Sequence, residues 1–472
     1  MCGITGIYAF NEIGRIFSIN LQQANEAMLH RGPDTGRLYN DYFAGLGHRR
    51  LSIIDLSSDG NQPMTDPTER YTMVFNGEIY NFKSLKEQLE KEGETFTSQS
   101  DTEVLLKLYI KEKENCLEKL NGFFTFAVHD KQENTFFIAR DRMGIKPLLY
   151  YLDEDKFLFA SEMNALLAFK IPREIDYTSV FQYFQFNYIP APNTIFKNVS
   201  KLMPGHYLKM KGRDLEIKQY YKPPFEENKN YSQAPNYENA QKELIHILDN
   251  SVKDRMVSDV PLGAFLSGGI DSSVIVALAS QYTKNLNTFS IGYADEPFFD
   301  ETKYANLVAK KYNTNHSVFK LRNDDYYQHV FNLLDFYGEP FADSSAIPLY
   351  ILCQETRKKA TVALSGDGAD ELFAGYHKYF GEYKARQGGT LAQMLKMGLP
   401  ILDKLPKTRG NFIGNKVRQI HRFAEGMNLS PKERYYYLSS MNSEQEARKM
   451  FTPSFADNVS EQKYGERKTA IL

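Results

Sequence analysis

The chain has 472 residues, of which 42% are hydrophobic and 25% charged, values typical of globular proteins, and its length predicts two to three domains. The net charge of −2 gives no large basic field for nucleic acid, and no apolar run reaches the roughly 18 residues of a membrane helix. The N-terminus lacks the basic and apolar regions of a secretory signal. Three cysteines (Cys2, Cys116 and Cys353) are too few for a disulfide framework, which predicts a reducing, cytoplasmic location.

The N-terminal part of the chain is rich in predicted strands. β-Branched and aromatic runs separated by polar turns predict strands over 71–75, 123–130, 135–141, 147–152 and 156–161. Helical spacing of apolar residues predicts helices over 81–93 and 101–115, the first of them ending at Gly93. We therefore expect antiparallel sheets covered by helices.

A polar stretch over 221–239 contains three prolines and no periodicity, which predicts a linker. Beyond it, strands and helices alternate. Helices are predicted over 237–258, 272–282 and 301–312, and strands over 260–266, 287–293, 316–321 and 361–366. Such alternation is typical of a parallel, doubly wound sheet. Past Ala374 the chain becomes helical and basic.

The stretch FLSGGIDSSV (265–274) lies where a strand leads into a helix. Gly268 and Gly269 let the backbone curve closely around a ligand, and neighbouring serines add hydroxyl groups. The following helix directs its N-terminus, which favours anions, into this loop. We predict a phosphate-binding loop, although the Lys-Ser/Thr ending of a Walker A loop is missing. A tight strand–helix turn alone would explain the glycines but not the serines around them.

A second loop, ALSGDGADELFAGY (363–376), also follows a strand. Loops at the carboxyl ends of parallel strands share one crevice, so we expect Asp367, Asp370 and Glu371 to face the first loop. Acidic residues beside a phosphate site fit a bound Mg²⁺. The alternative, that these acids only cap the next helix, stays open, above all for Glu371.

These two loops resemble the ATP pyrophosphatase domain of asparagine synthetases. The resemblance implies cleavage of ATP to AMP and pyrophosphate, with a substrate carboxylate adenylated. The ATP-binding residues that it implies are Leu266, Ser267, Gly268, Gly269, Asp271, Ser272, Ile291, Ser365 and Gly366. It also implies that Asp271 and Asp370 bind Mg²⁺. Asp367 matches an acidic position, Glu in some members, that serves formation and amination of the acyl-adenylate, so it is a predicted catalytic residue with a shorter reach.

The chain opens with MCGI, and removal of Met1 would leave Cys2 at the N-terminus. The α-amine, with a reference pKa of about 8, is then able to act as a base for the Cys2 thiol. Taken alone, a cysteine at position 2 is more often an accident of the start of the chain than a catalytic residue. The functional interpretation depends on other motifs.

Those motifs are HRGPD (30–34), HRRLSIID (48–55), FNGEIYN (75–81), SDTE (100–103) and ARDRMGIKPLLYY (139–151). Together they resemble the class II glutamine amidotransferase domain, an N-terminal-nucleophile hydrolase. The glutamine-binding residues implied are Arg50, Leu51, Ser52, Ile53, Ile54, Asn76, Gly77, Glu78 and Asp101. Arg50 would bind the α-carboxylate, Asp101 the α-ammonium and Glu78 the amine end.

In the same resemblance, Cys2 is the nucleophile, and Asn76 and Gly77 form an oxyanion hole, so these three are predicted catalytic residues. Arg49 is predicted to be a surface or structural arginine. The first and last of the five motifs are predicted to provide turns and strand packing around the site, with no catalytic step.

Both motif sets together resemble glutamine-hydrolysing asparagine synthetases. The predicted fold is an α+β αββα sandwich over 2–210, a linker over 211–236 and an α/β doubly wound ATP pyrophosphatase domain over 237–472. The resemblance implies synthesis of asparagine from aspartate, ATP and glutamine through β-aspartyl-AMP, with ammonia passed from the glutaminase site. It implies no nucleic-acid or membrane partner, and a homodimer is usual in the family.

Two alternatives stay open. In the first, the chain amidates another carboxylate, such as a surface-sugar acid, because no sequence motif identifies the acyl acceptor. Ring closure to a β-lactam is disfavoured because that reaction needs no ammonia. Alternatively, it would be a glutaminase or a nucleotide-binding regulator only. Family members continue with a VRxPFLD stretch and a lysine that serve the synthetase site, and this sequence has no PFLD before it stops at Leu472. We therefore expect a C-terminally shortened member.

Overall fold

A computed structural model of the chain describes residues 1–224, 236–388, 394, 397–408 and 412–471. The chain divides into two compact units. The first comprises Met1–Glu174, Ala191–Glu339 and Ser344–Ser365, and the second Ile175–Pro190, Pro340–Asp343 and Gly366–Leu472. Residues 225–235 of the predicted linker, and Leu472, lie outside the described residues.

The first unit contains two antiparallel six-stranded sheets. Their strands are β1 (Gly3–Ala9), β2 (Thr35–Asn40), β3 (Ala44–Arg50), β4 (Met64–Thr65), β5 (Tyr71–Ile79), β6 (Gly122–Asp130), β7 (Thr135–Arg140), β8 (Leu149–Leu152), β9 (Lys156–Ala160), β10 (Val199–Lys201), β11 (His206–Lys211) and β12 (Asp214–Gln219). The strand orders are β10-β8-β9-β1-β3-β2 and β12-β11-β7-β6-β5-β4.

A dry core lies between the two sheets, where Ile4, Val74, Phe136 and Phe159 are fully buried. Helices cover the outer faces: α1 (Glu12–Ile16), α2 (Leu21–Glu26), α3 (Phe82–Lys91), α4 (Asp101–Glu112), α5 (Cys116–Lys119) and α6 (Met163–Ala168). Because α2 and α6 pack on the first sheet and α3 and α4 on the second, the layers are αββα, as predicted. Short 3₁₀ turns occupy Phe17–Asn20, Ser58–Gly60 and Lys113–Asn115.

The predicted elements of this part are present with adjusted ends. Helix α3 is followed by Gly93 at a φ of +96°, the left-handed conformation that glycine adopts most readily after a helix. The helix predicted over 101–115 ends at Glu112, because Lys113 takes a φ of +54° and a 3₁₀ turn follows. Strand β12 pairs with β11 over 214–219, so the sheet extends into the stretch that was predicted to be linker from residue 211.

The third sheet is parallel and also belongs to the first unit. Its strands are β13 (Leu262–Phe265), β14 (Asn287–Tyr293), β15 (Asn315–Leu321) and β16 (Val362–Leu364), in the order β15-β14-β13-β16. The helices between them, and the one preceding them, are α8 (Tyr237–Arg255), α9 (Ile270–Ala279), α10 (Thr302–Lys311), α11 (Asn323–Phe336) and α12 (Ala346–Arg357). Ala264, Val276 and Ala305 are buried where β13, α9 and α10 meet. The predicted α/β arrangement is confirmed.

The second unit is helical in its described residues. It contains α7 (Tyr177–Phe186), α13 (Ala369–Phe373), α14 (His377–Gln387), α15 (Leu399–Leu402), α16 (Phe412–Gly426), α17 (Pro431–Ser439), α18 (Glu444–Lys449), α19 (Pro453–Ala456) and α20 (Glu461–Ile471). Helix α7 lies within the predicted domain 2–210, yet Phe181 packs with Ala447 and Tyr464. The compact units therefore differ from the predicted division, because the apolar face of α7 is buried by helices from the far end of the chain. Within the described residues, no helix is both long and apolar enough to cross a membrane.

Candidate active site

Cys2 lies directly before β1, a central strand of the first sheet. Pairing of Gly3 with Arg49 in β3 brings Cys2 beside the residues that follow β3. The backbone N–H of Leu51 donates to Cys2 Sγ at 3.5 Å, and the thiol lies 3.7 Å from the Leu51 carbonyl oxygen. On the other side, Arg31 Nε donates to the Cys2 carbonyl at 2.8 Å. The sheet register and these contacts fix the position of the thiol.

Burial and the neighbouring charges shift the pKa of the Cys2 thiol in opposite directions. Burial raises the pKa of Cys2, whereas the Leu51 N–H and the nearby positive charges of the chain N-terminus and Lys146 lower it. The structure retains Met1, whose α-ammonium has a pKa lowered to about 6, chiefly by burial. A buried amine with a lowered pKa is neutral at physiological pH, which is the form that accepts a proton.

Strand β5 has an unpaired edge beside this cysteine. Strand β4 pairs only with Thr72 and Met73, so among the described residues the later part of β5 has no strand neighbour on that edge. Side chains take the place of that neighbour. Gln62 Oε1 accepts the Phe75 N–H at 2.6 Å, His48 Nε2 lies 3.1 Å from the Phe75 carbonyl oxygen, and Asp101 Oδ2 accepts the Ile79 N–H at 3.0 Å.

His48 and Gln62 were missed as functional residues by sequence reasoning, although His48 belongs to a quoted motif. Burial lowers the pKa of His48 to about 3, so the ring is neutral and its Nε2–H donates to Phe75. Gln62 is itself held by a bond from Nε2 to Thr102 Oγ1 at 3.1 Å. No local sequence pattern indicates that either side chain hydrogen-bonds to the backbone of Phe75 in β5.

Asn76 and Gly77 lie between these supported positions. Since N–H groups on a strand alternate between its two edges, Gly77 directs its N–H to the same unpaired edge as Phe75 and Ile79. A Cβ at Gly77 would lie 2.3 Å from the Phe123 carbonyl oxygen, so only glycine fits. The Asn76 side chain is 1% exposed, and neither of its polar atoms has a hydrogen-bond partner among the described residues. A buried side-chain amide without a partner, and an N–H on an unpaired edge of a strand that lines the same pocket as Cys2, are the kinds of group that form an oxyanion hole.

The Arg50 guanidinium is buried and bound to its own loop. Nη1 donates to the Ser57 carbonyl at 2.8 Å and to Asn61 Oδ1 at 3.0 Å, and Nη2 donates to the carbonyls of Ile54 and Asp55. Binding of a substrate carboxylate by these nitrogens would therefore require that it share or replace protein acceptors. The neighbouring Arg49 donates from Nε to the Gly32 carbonyl at 3.0 Å, a structural contact.

Two carboxyl groups face the same space. Burial raises the pKa of Glu78, and the nearby charge of Asp101 raises it further. Burial also raises the pKa of Asp101, although backbone N–H donors and Arg50 oppose this shift. Two carboxylates held close together in a partly dry pocket gain from the arrival of a positive charge. The pair is therefore suited to a substrate ammonium group.

These groups surround one pocket. Its walls are formed by Cys2, Arg50, Leu51, Ile53, Ile54, Gly60, Gln62, Phe75, Gly77, Glu78, Ser100, Asp101 and Thr102. Among the predicted glutamine-binding residues, Ser52 is not part of these walls, and its N–H donates to Asp34 at 2.8 Å. Asn76 lies between the wall residues Phe75 and Gly77. The structure thus brings together residues that are widely separated in the sequence.

The SGGIDSS loop connects β13 to α9. Ser267 and Ser272, predicted to bind phosphate, lie with their hydroxyl oxygens 3.0 Å apart, and Ser267 Oγ accepts the Gly269 N–H at 3.2 Å. Gly268 has a φ of +87°, and a Cβ there would lie 2.5 Å from the Ala305 nitrogen of α10. The serines therefore hold the curve of the loop, and Gly268 allows it to lie against α10.

The open side of this loop presents Asp271, which is exposed in the first turn of α9. Leu266 is buried at the end of β13, and Ile291 is half-buried in β14. Within the described residues, no three His, Cys, Asp or Glu side chains are grouped to hold a metal ion by themselves. Mg²⁺ at phosphate sites uses one or two carboxylates together with substrate phosphates, so an exposed Asp271 beside a phosphate loop fits it.

The second predicted loop begins at the end of β16, which pairs in parallel with β13. Ser365 ends the first unit, and Gly366 begins the second. Asp367 is exposed, and Asp370 lies in α13, where its carbonyl accepts the Gly375 N–H at 3.0 Å. Glu371 Oε1 accepts the Tyr376 hydroxyl at 2.9 Å, a contact within the loop itself.

Comparison with known proteins matches two families in succession. A glutamine amidotransferase domain covers residues 1–221, and an asparagine synthase domain covers residues 243–468. Among solved structures, a glutamine phosphoribosylpyrophosphate amidotransferase from Bacillus subtilis gives a TM-score of 0.36 at 15% identity, covering 77% of this chain and 90% of that chain. That likeness is too distant to inform the site.

Two curated relatives are closer in sequence. Asparagine synthetase [glutamine-hydrolyzing] 1 of Bacillus subtilis is 38% identical over 387 residues, covering 80% of this chain and 59% of that protein. Putative asparagine synthetase [glutamine-hydrolyzing] 2 of Methanocaldococcus jannaschii is 37% identical over 467 residues, covering 92% of this chain and 86% of that protein. This chain therefore spans a little over half the length of the first relative and most of the second.

Proposed function

Because the chain belongs to the glutamine-hydrolysing asparagine synthetase family, we propose that it makes asparagine from aspartate, ATP and glutamine. The observation that carries the proposal is the pocket in which Cys2 lies beside the unpaired edge of β5. A phosphate-type loop at the end of β13, in the matched asparagine synthase region, supplies the second half.

The glutaminase step follows from the pocket. After removal of Met1, the Cys2 α-amine takes the thiol proton, and Sγ attacks the side-chain amide carbon of glutamine. Asn76 and the Gly77 N–H stabilise the oxyanion, the Cys2 α-ammonium returns its proton to the leaving nitrogen, and the carbon–nitrogen bond breaks to release ammonia. Water then hydrolyses the thioester to glutamate. Asp101 and Glu78 bind the α-ammonium, and Arg50, with Leu51, Ser52, Ile53 and Ile54, binds the carboxylate end.

The synthetase step uses the SGGIDSS loop. Leu266, Ser267, Gly268, Gly269, Ser272, Ile291, Ser365 and Gly366 bind the adenine nucleotide and its phosphates, the helix α9 N-terminus favouring the anion. Asp271 and Asp370 would hold Mg²⁺, which supplies positive charge to the phosphates. An oxygen of the aspartate β-carboxylate attacks the α-phosphorus, and pyrophosphate leaves. Ammonia then attacks the acyl carbon and AMP leaves, with Asp367 assisting both reactions.

Two alternatives retain some of these steps. In the first, both reactions occur but the acceptor is another carboxylate. In the second, only the glutaminase reaction occurs. Three further points stay predictions. They are the division into an amidotransferase domain, a linker and a synthetase domain; the homodimer; and the cytoplasmic location. Among the described residues, Cys2, Cys116 and Cys353 are not joined in disulfides.

Product analysis tests the proposal. Incubation with glutamine, ATP and aspartate should yield glutamate, AMP, pyrophosphate and asparagine in equal amounts. Formation of ADP would contradict the adenylation. An ATP–pyrophosphate exchange screen over other carboxylates, with aspartate as reference, separates the first alternative. If glutamate is released but no carboxylate stimulates exchange, the glutaminase-only alternative holds.

A further inference from the structure

A five-residue segment from Arg255, the last residue of α8, to Asp259 contacts the amidotransferase domain at two places, and the second includes the pocket wall residue Ile53. At its start, the Arg255 guanidinium lies over the Tyr80 ring, 4.2 Å from its centroid, and 4.9 Å from the centroid of Phe123. At its end, the Asp259 N–H donates to the Ile53 carbonyl at 3.0 Å, and Asp259 Oδ2 accepts the Asp55 N–H at 2.9 Å. The segment belongs to the matched asparagine synthase region, whereas its contacts belong to the amidotransferase domain.

The Asp259 contacts support a strained turn. Asp55 has a φ of +54°, in the left-handed region that residues with a side chain enter less readily than glycine, although aspartate enters it more readily than most. Its own carboxylate accepts N–H groups from Gln99 at 2.8 Å and from Ser57 at 3.0 Å. With Asp259 bound to its N–H as well, the Asp55 backbone is fixed on several sides.

The same turn binds the Arg50 guanidinium. The carbonyls of Ile54 and Asp55 both accept from Arg50 Nη2, and Ile53 and Ile54 are walls of the pocket. The two Asp259 hydrogen bonds bracket Ile54. A shift of the turn would therefore displace both the guanidinium and the apolar walls that surround the substrate.

We propose that Asp259 is a positioning residue for glutamine, contributed by the synthetase half of the chain to the pocket of the amidotransferase half. This inference rests on the proposed glutaminase function. Asp259 does not line the pocket. It acts through the Ile53–Asp55 turn and Arg50, so it influences the affinity for glutamine rather than the reaction at Cys2.

The test compares steady-state glutaminase kinetics of the full chain and three variants. Asp259→Ala should raise the glutamine KM roughly fivefold or more, because a hydrogen bond to a charged acceptor is lost, while kcat stays within about twofold. Asp259→Asn keeps an acceptor oxygen for the Asp55 N–H and should behave like the unchanged chain. Asp254→Ala removes an acidic side chain from the last turn of α8 and is the matched control, with no expected change.

A second measurement reports affinity without turnover. Inactivation by a diazoketone analogue of glutamine should saturate at higher concentration in Asp259→Ala, whereas alkylation of Cys2 by iodoacetamide should keep its rate. If Asp259→Ala does not fold, Asp259→Ser, whose short side chain does not reach Asp55, replaces it. An unchanged KM, an equal loss in Asp259→Asn, or a fall in kcat as large as the rise in KM would overturn the inference.

The outcomes also separate this inference from the proposed function. If the unchanged chain releases glutamate but makes no asparagine, the asparagine proposal fails and the Asp259 test still proceeds. If the unchanged chain releases no glutamate, both fail. If it makes asparagine and Asp259→Ala binds glutamine normally, only the role of Asp259 is wrong.

Discussion

The pocket beside Cys2 is lined by residues of β3, β5 and α4 and of the loops between them, whereas the SGGIDSS loop lies at the open end of a strand. Arg50 and Asp101 are each 6% exposed and Asn76 is 1% exposed, but Ile270 in the SGGIDSS loop is 82% exposed. In the pocket, side chains from distant segments bond to the edge of β5, and within the described part of the chain the Asn76 amide has no hydrogen-bond partner and the Gly77 N–H faces an edge without a strand. In the loop, neighbouring serines satisfy each other.

The difference shows two structural ways to form a binding site for a charged ligand. A pocket that binds a small zwitterion gains from buried, fixed charges, because electrostatic interactions are stronger where water is excluded. A loop that binds a phosphate group gains from backbone curvature and a helix N-terminus, which are local properties. Substitutions should therefore affect the two sites separately and through different physical causes.

The largest expected effect is the loss of the nucleophile. Cys2→Ala should lower glutamate release by at least about 10³-fold, because no other group forms the thioester. Synthesis from added ammonia and ATP–pyrophosphate exchange should be unchanged, since both use only the second site. Assays of glutamate and asparagine with glutamine or with ammonium chloride check this. Cys353→Ala, at an exposed position, is the control, and persistent glutamate release in Cys2→Ala would refute the assignment.

Asn76→Ala should lower the glutaminase kcat by about 10²–10³-fold, the usual cost of one oxyanion-hole donor. Because the Asn76 amide has no partner among the described residues, its removal breaks no hydrogen bond of the free protein. The thermal midpoint should therefore stay close to that of the unchanged chain. Kinetics and calorimetry together test the role, and a stability loss that accounts for the lost activity would assign Asn76 to structure instead.

Gly268→Ala should lower ATP–pyrophosphate exchange by about 10²-fold, the effect of a displacement near 1 Å at a reacting group. The added Cβ would lie 2.5 Å from the Ala305 nitrogen, so the loop must move away from α10. The control is Gly212→Ala, where φ is +57° and a Cβ meets nothing within 4 Å. Glutaminase activity should survive in Gly268→Ala. Equal losses of ATP–pyrophosphate exchange in the two variants would show that backbone strain alone is responsible.

The smallest effect is a pH dependence confined to the pocket. Since the pKa values of Glu78 and Asp101 are raised, acidification from about pH 8 to about pH 6 protonates these carboxyls and should raise the glutamine KM several-fold. The KM for ATP should change less. A glutamine KM that is flat over this range would contradict ammonium binding by this pair.

The same shift predicts a change in stability. A carboxyl whose pKa is raised in the folded state binds protons more tightly there than in the unfolded state. Its contribution is therefore favourable at low pH and is lost as the pH rises above 4.5, the ordinary value for Glu78. The free energy of unfolding should fall relative to that of Glu78→Gln over this rise, measured by urea denaturation. A constant difference between the two proteins would refute the shift.

Much of the fold followed from local patterns. The β-branched and aromatic runs marked strands β5 to β9, the alternation after residue 236 marked the parallel sheet, and β14 matches its predicted range of 287–293. Strand β3 was not predicted, because its end, His48–Arg50, is polar although it is largely buried between neighbouring segments. Helix α7 was not predicted, and an apolar helix face does not by itself indicate which surface will cover it.

The sequence by itself determined the chemistry that the protein carries: a thiol at residue 2, paired acids, a serine- and glycine-rich phosphate loop and the family to which they belong. Only the tertiary structure decided that His48 and Gln62 bond to the edge of β5 and that Asp259 contacts the Ile53–Asp55 turn. The physical reason is distance along the chain. Residue type and spacing set local conformation, but the unpaired edge of one strand is satisfied by whatever the fold brings beside it.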